Sequence, residues 1–222
     1  MRLVKFAAAT MLATLVSGSS MAAYNLKITE IWPGNEPGSN LTQDWFEVTN
    51  LGDMTWTNGV DGSLYFDDES TDPVEADLIS GVASIAPGQS VVLVDDASIV
   101  DFLTIWGPVA GPITVGTYAG AGLGQGGDGV ALFLDTDSNL TLSDLIDFAS
   151  YPDANAFGGQ SWDVRLQAFS TVGNANGAVA TTTLNDANQP AIGSPGSAPV
   201  PEPSTLVLLA ASAAALACRR RR

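Results

Sequence analysis

From Tyr24 to Ala198 the sequence is cut into short segments by clusters of Gly, Pro, Asn and Ser, and this punctuation limits what the chain can fold into more than any other feature. Between the breaks lie runs of strand length. YNLKITEIW (24–32) alternates through Leu26 and Ile28, carries an off-beat Ile31, and stops at Pro33-Gly34. DWFEVTNLG (44–52) puts Phe46 and Val48 on one face and Trp45, Glu47 and Thr49 on the other, with Glu47 and Asn50 expected to face water or the next loop. Further strands are expected at SLYFD (63–67), SVVLVD (90–95), VGTYAG (115–120), GVALFLD (129–135), DLIDFAS (144–150) and SWDVRLQAF (161–169). One segment has a different period. In DDASIVDFLTIWG (95–107), Asp96 can cap a helix whose Ile99, Phe102, Leu103 and Trp106 share one apolar face, with Gly107 and Pro108 as its stop. Many short strands, one small helix and Gly-rich turns make an all-β chain, a compact antiparallel β-sandwich.

The two ends read differently. Residues 1–22 hold Arg2 and Lys5, an apolar run from Phe6 to Val16, and then small residues, with Ser20 and Ala22 placed for cleavage after Ala22: a secretory signal peptide. The apolar run is well short of the ~20 residues a bilayer span needs. The sandwich is expected over 23–168. Residues 169–199, rich in Ala, Asn, Thr, Gly and Pro, read as a closing segment and linker, and 200–222 as a separate C-terminal tail.

Charge narrows the function. Lys27 and Arg165 are the sole basic residues between Tyr24 and Ala198, against 23 of the chain's 24 carboxylates. Such a surface repels nucleic acid and suits calcium or a cationic partner. The single cysteine, Cys218, lies in the tail, so no internal disulfide staples the fold. With no histidine, the common proton shuttle near neutral pH and the usual catalytic triads are absent, and zinc loses its favoured ligands. No enzymatic activity is expected, although paired carboxylates are the one catalytic device this composition allows.

Three patterns invite a ligand. Gly122, Gly124 and Gly127 spell G-x-G-x-x-G, but a strand follows where a dinucleotide site needs a helix N-terminus. Asp135, Asp137 and Asn139 occupy positions 1, 3 and 5 of a calcium loop, while Leu140 and Ile146 stand where that loop needs Gly and a bidentate acid; a hairpin turn is the alternative, with weak calcium binding left open. Trp45, opposite the Phe46 face, and Trp56, in a Thr/Asn/Gly loop, are the candidates for an exposed sugar-stacking surface, with core packing as the other fate of each.

The order ITEIWPG (28–34), DWFEVTNLG (44–52), IAPGQSVVLVDD (85–96), the helix ending in Trp106, GGDGVALFLD (126–135), LIDFASYP (145–152) and IGSPGSA (192–198) resembles the lamin tail domain family. The resemblance implies an immunoglobulin-like sandwich and a non-catalytic module for binding or attachment, with no active-site residues to carry over. This chain departs from that pattern in the insert MTWTNGVDG and the acidic loop DDESTDPVEAD.

The tail holds Pro201, Glu202 and Pro203, then the apolar run Leu206 to Ala217, then Arg219, Arg220, Arg221 and Arg222. Even with Thr205 and Cys218 the run makes a helix of about 21 Å, against a hydrocarbon core of ~30 Å. Basic residues after it hold that end in the cytoplasm, so the membrane segment is a transient one and the domain faces outward. This tripartite tail resembles the PEP-CTERM motif. The resemblance implies an exosortase and the secretion machinery as partners, transient inner-membrane insertion, and delivery to the cell surface or an exopolysaccharide matrix. The expectation is therefore an exported, surface-sorted, non-enzymatic adhesion or matrix module. The alternatives are a calcium-assisted, lectin-like carbohydrate-binding domain and, third, a carboxylate hydrolase.

Overall fold

The computed structural model describes residues 23–34, 41, 43–95, 99–174 and 176–197. Residues 1–22, read from the sequence as a signal peptide, and the C-terminal tail fall outside them. The strands are β1 (Leu26–Trp32), β2 (Trp45–Asn50), β3 (Trp56–Thr57), β4 (Ser63–Asp67), β5 (Asp77–Leu78), β6 (Ser84–Ile85), β7 (Ser90–Asp95), β8 (Thr114–Tyr118), β9 (Asp128–Asp135), β10 (Leu145–Tyr151), β11 (Trp162–Asp163), β12 (Ala168–Phe169), β13 (Val179–Leu184) and β14 (Pro190–Gly193). The helix α1 (Ile99–Ala110) lies between β7 and β8.

Two sheets form the sandwich. One has the order β12-β11-β1-β2-β7-β8 and the other β10-β9-β4-β5. Pairing within them is antiparallel except for β7 and β8, which run parallel because α1 carries the chain from the end of one strand back to the start of the other. Between the sheets Ile28, Ile31, Phe46, Val48, Val91 and Leu93 meet Leu64, Phe66, Val130, Leu132 and Leu134. Phe66 stacks on Phe46 at 5.2 Å and touches the Tyr118 ring at 4.3 Å. The strand pattern assigns Phe46 and Val48 to the inner face, and that is where they lie.

A third layer covers the opposite face of the six-stranded sheet. Trp32, Trp45, Val92 and Val94 point outward from the sheet and pack with Phe102 and Trp106 of α1 and Ala191 of β14. Trp32 and Trp45 stack with planes 3° apart, and Trp106 stands edge-on to both at 5.8 and 5.9 Å. Here the structure corrects the sequence reading twice. Of residues 169–199, read as a closing segment and linker, the part up to 197 is folded and not a linker: β13 and β14 pair with each other, and Ala178, Thr181, Ala191 and Ser194 are buried. The helix is not stopped by Gly107 and Pro108 but runs to Ala110. Proline's fixed φ suits a helix, and its missing N–H costs one bond to the carbonyl of the exposed Thr104, while the Gly111 N–H reaches Gly107 O at 3.3 Å and closes the last turn. The apolar face is accordingly rotated, with Ile105 and Val109 against the tryptophans and Leu103 38% exposed. Asp96, the proposed cap, lies outside the described residues.

Polar ties hold the sheets in register. Asp147 of β10 accepts from Lys27 Nζ and from the Ile28 N–H, both at 2.8 Å, and so bridges the two sheets. Asn50, far from facing water, is buried: its amide donates to Met54 O and Ile85 O and accepts from Asn25 and Gly52. Truncating Trp106 to Ala removes the ring that meets both sheet tryptophans and is expected to cost ~3–5 kcal/mol. Leu103→Ala on the same helix should cost under about 1 kcal/mol; urea unfolding of the two variants measures both.

Candidate functional site

The strongest concentration of chemistry is a row of acids on the outer face of the six-stranded sheet. Antiparallel register sets Glu30 of β1 directly opposite Glu47 of β2, and Glu30 opposite Asp163 of β11 on its other side. The alternation that sends Phe46 and Val48 inward sends Glu47 outward with Trp45 and Thr49. Outward does not mean solvent here. Glu30 is 1% exposed and Glu47 0%, because the chain after β14 lies over them.

Every carboxylate oxygen of the pair has a donor. Glu30 Oε1 accepts from Ser161 Oγ in a short bond and from the Ser194 N–H at 2.7 Å; its Oε2 accepts from Ser194 Oγ at 2.9 Å. Glu47 Oε1 accepts from Thr29 Oγ1 at 2.6 Å and its Oε2 from the Gly196 N–H at 2.6 Å. Hydroxyls continue the network on both sides: Thr29, Thr49 and Ser90 form a chain at 2.9 and 2.7 Å, and Ser161, Ser170 and Asn176 another at 2.8 and 2.9 Å. Two glycines make the fit. A Cβ on Gly193 would press within about 3.2 Å of Glu30 Oε1, Ser161 Oγ and the Trp106 ring, and Gly196, at φ +80°, turns its N–H onto Glu47 through a conformation that L side chains rarely adopt.

Burial is the main reason that both acids bind protons more tightly than usual. It pushes Glu30 up from 4.5 to about 7, offset in part by the bonds from Ser161 and Ser194 and reinforced by Asp163. Burial and the neighbouring Glu30 push Glu47 up to about 8, with Thr29, Gly196 and Arg165 acting against them. A second set lies at one end of the sandwich. Asp44 accepts the Leu123 N–H at 2.7 Å, Asp128 accepts the Gly124 N–H at 2.6 Å, and Tyr151 donates to Gly124 O at 2.9 Å. These bonds pin the glycine-rich loop, so Gly122, Gly124 and Gly127 serve a turn and not a nucleotide. Burial raises Asp44 to about 6.

The predicted ligand residues end up elsewhere. Trp45 and Trp56 are 0% and 1% exposed, in the outer and inner cores, so of the two fates open to each it is core packing that the structure shows, and neither offers a free ring face. The pattern of β2 gave Trp45's face correctly; it could not reveal that α1 lies on that face. Trp56 is buried because β3 pairs with β6, setting Trp56 opposite Ile85. Asp135, Asp137 and Asn139 do come together, as a turn. Asp135 Oδ1 accepts from the N–H groups of Asp137 and Ser138 at 3.0 and 2.7 Å, and Asp137 Oδ1 accepts from the Asn139 N–H at 3.0 Å. The acidic loop after β4 caps itself similarly, Asp67 Oδ2 accepting from Ser70 Oγ and the Asp72 N–H. No group of three or more His, Cys, Asp or Glu side chains is placed to hold a metal ion among the described residues. Glu30 and Glu47 themselves escaped the sequence reading; the available signal was an acid on the Trp face of each of two neighbouring strands.

These features define a three-layered β-sandwich whose chain end is bonded to a buried acid pair. Residues 199–222 match the PEP-CTERM protein-sorting motif, which includes Pro201, Glu202, Pro203 and Arg219–Arg222, all outside the described residues. No curated protein and no solved structure matches the chain. The motif marks it as an exosortase-processed, surface-sorted protein, exported and held transiently in the membrane before it is cut. No helix among the described residues is long and apolar enough to cross a membrane.

The proton affinities of the acid pair carry a stability signature. Both folded values lie above the unfolded value of 4.5, so the stability they contribute is fully present below about pH 4.5 and is lost as pH rises through about 7 and 8. Thermal melting is expected to fall markedly between pH 6 and pH 9, by an amount on the order of a few kcal/mol in stability. Gly193→Ala should destabilise the fold by ~1–3 kcal/mol at either pH, because three buried neighbours must give way.

Proposed function

We propose that the chain is a non-enzymatic adhesion or matrix module, delivered to the cell surface by its sorting tail and deployed as a compact acidic sandwich. The observation that carries this reading is the sorting motif beginning at residue 199, three positions beyond a fold that is anchored to its own core as far as Gly196. The resemblance to lamin tail domains belongs to the same reading and rests on the order of the sequence segments alone. Support for a non-catalytic role comes from the lack of histidine and from the burial of Glu30 and Glu47, whose oxygens are all engaged by protein donors. Support for sugar stacking weakens with Trp45 and Trp56 in the core.

The partner, on this reading, meets a surface dominated by carboxylates. It is a cationic or calcium-bridged component of the extracellular matrix. Mass spectrometry of the surface protein is expected to find a C-terminus near Pro203, and recovery of an intact Arg219–Arg222 tail on mature protein would defeat the sorting reading. A glycan array probed with and without calcium is expected to show no discrete sugar ligand; a strong calcium-dependent signal would transfer support to the lectin-like alternative.

A further inference from the structure

The residues that cover the glutamate pair are the last described ones in the chain, and the sorting motif starts at 199. We propose that Glu30 and Glu47 form a protonation-controlled clasp, which holds segment 194–197 on the six-stranded sheet and releases it in alkaline medium, while β14 stays in place through its pairing with β13 and the Ile192 bonds to Gly159 and Ser161.

The geometry carries this in three steps. Directly opposed residues of an antiparallel pair have Cβ atoms about 4.5–5.5 Å apart, so the two carboxyl groups share one water-free space and cannot both ionise cheaply. The charged surroundings do not relieve them. Asp163 extends the row on the β11 side, and Arg165, the one cation acting on Glu47, is itself 3.6 Å from Asp163. Lys27 on β1 is committed to Asp147. On the covering layer α1 carries Asp101 alone, which is exposed, while β13 and β14 carry no ionisable side chain; β7 contributes Asp95 at its far end.

Second, the site is built to hold a proton. Thr29, Thr49 and Ser90 form a run of hydroxyls, each able to donate or accept. With Glu47 neutral, its O–H donates to Thr29, Thr29 to Thr49 and Thr49 to Ser90; with Glu47 ionised, the same chain reverses. Protonation therefore changes the charge while the Glu47–Thr29–Thr49–Ser90 contacts stay in place.

Third, the cover is the part that can yield. β1, β2 and β11 are tied by sheet pairing, whereas segment 194–197 meets the pair through the Ser194 and Gly196 N–H groups and Ser194 Oγ. Lifting that segment gives both carboxylates to water and relieves the repulsion in one movement. Below neutral pH the chain end is folded onto the sandwich; in alkaline surroundings it becomes an accessible strap adjoining the processing site. The clasp does not depend on the sorting reading, although its use at the surface does, and the experiment below probes the clasp alone.

Hydrogen exchange measured by mass spectrometry on the full-length chain in detergent, at pH 6 and pH 9 and corrected for intrinsic rates, tests it. Protection of the amides of 194–197 is expected to fall by at least roughly tenfold relative to peptides covering β2 and β7, one proton corresponding to about tenfold per pH unit. Glu47→Gln should keep the segment protected at pH 9. Equal protection at both pH values, a loss no greater than that of the peptides covering β2 and β7, or a Glu47→Gln variant that opens like wild type would each overturn the proposal. Should Glu47→Gln fail to fold, Glu30→Gln and a carboxyl 13C titration of the unsubstituted chain take its place; ordinary glutamate midpoints for both residues would then dispose of the clasp.

Discussion

Two carboxyl groups set face to face across neighbouring strands, with no water to share, govern how the outer layer of this protein is assembled. Removing paired charges from water is costly unless each oxygen finds a donor. The strands that carry Glu30 and Glu47 cannot supply enough of them. Ser161 comes from β11's approach, and the remaining backbone donors come from Ser194 and Gly196, more than 140 residues away in sequence. The donors at Ser194 and Gly196 thereby tie the segment after β14 to the acid pair.

Apolar contacts supply the cohesion that this arrangement spends. The inner core is an ordinary interlock of aliphatic side chains and Phe rings between two sheets. The outer core is a tryptophan layer, in which two parallel indoles from neighbouring strands receive a third edge-on from the helix. Because both faces of the six-stranded sheet are buried, it behaves as the middle layer of three. That explains how a chain without an internal disulfide, and with an acid-rich surface, sustains a fold of this size.

Much of the framework was legible from local pattern. Turn chemistry and period-two alternation locate eight strand-bearing segments, and in β2 they also separate the Phe46 face from the Trp45 face. Alternation tells which residues share a face but not what lies on it. Glu47 was therefore expected to face water or the next loop, and Trp45 to be either core or a candidate ligand surface, when α1 and the segment after β14 bury both. SWDVRLQAF was read as one strand because its composition is continuous; Gln167 at φ +51° breaks it into β11 and β12 around a tight turn. The strands β13 and β14 were not placed within the closing segment because large apolar residues are few there: β13 carries three threonines and β14 is Pro-Ala-Ile-Gly, with Ala191 buried against the tryptophan layer. The acid pair combined both blind spots, since its members lie on separate strands and its donors lie in the segment read as a linker.

The bond between Glu30 and Ser194 spans 164 positions. A polypeptide threaded outward from its N-terminus presents β1 to the far side early and Ser194 almost last. Until the final residues emerge, the middle sheet holds two acids with no lid, and the tryptophan layer lacks part of its roof. Closure of the outer layer over the acid pair thus awaits residues 194–196, which lie just ahead of the sorting motif.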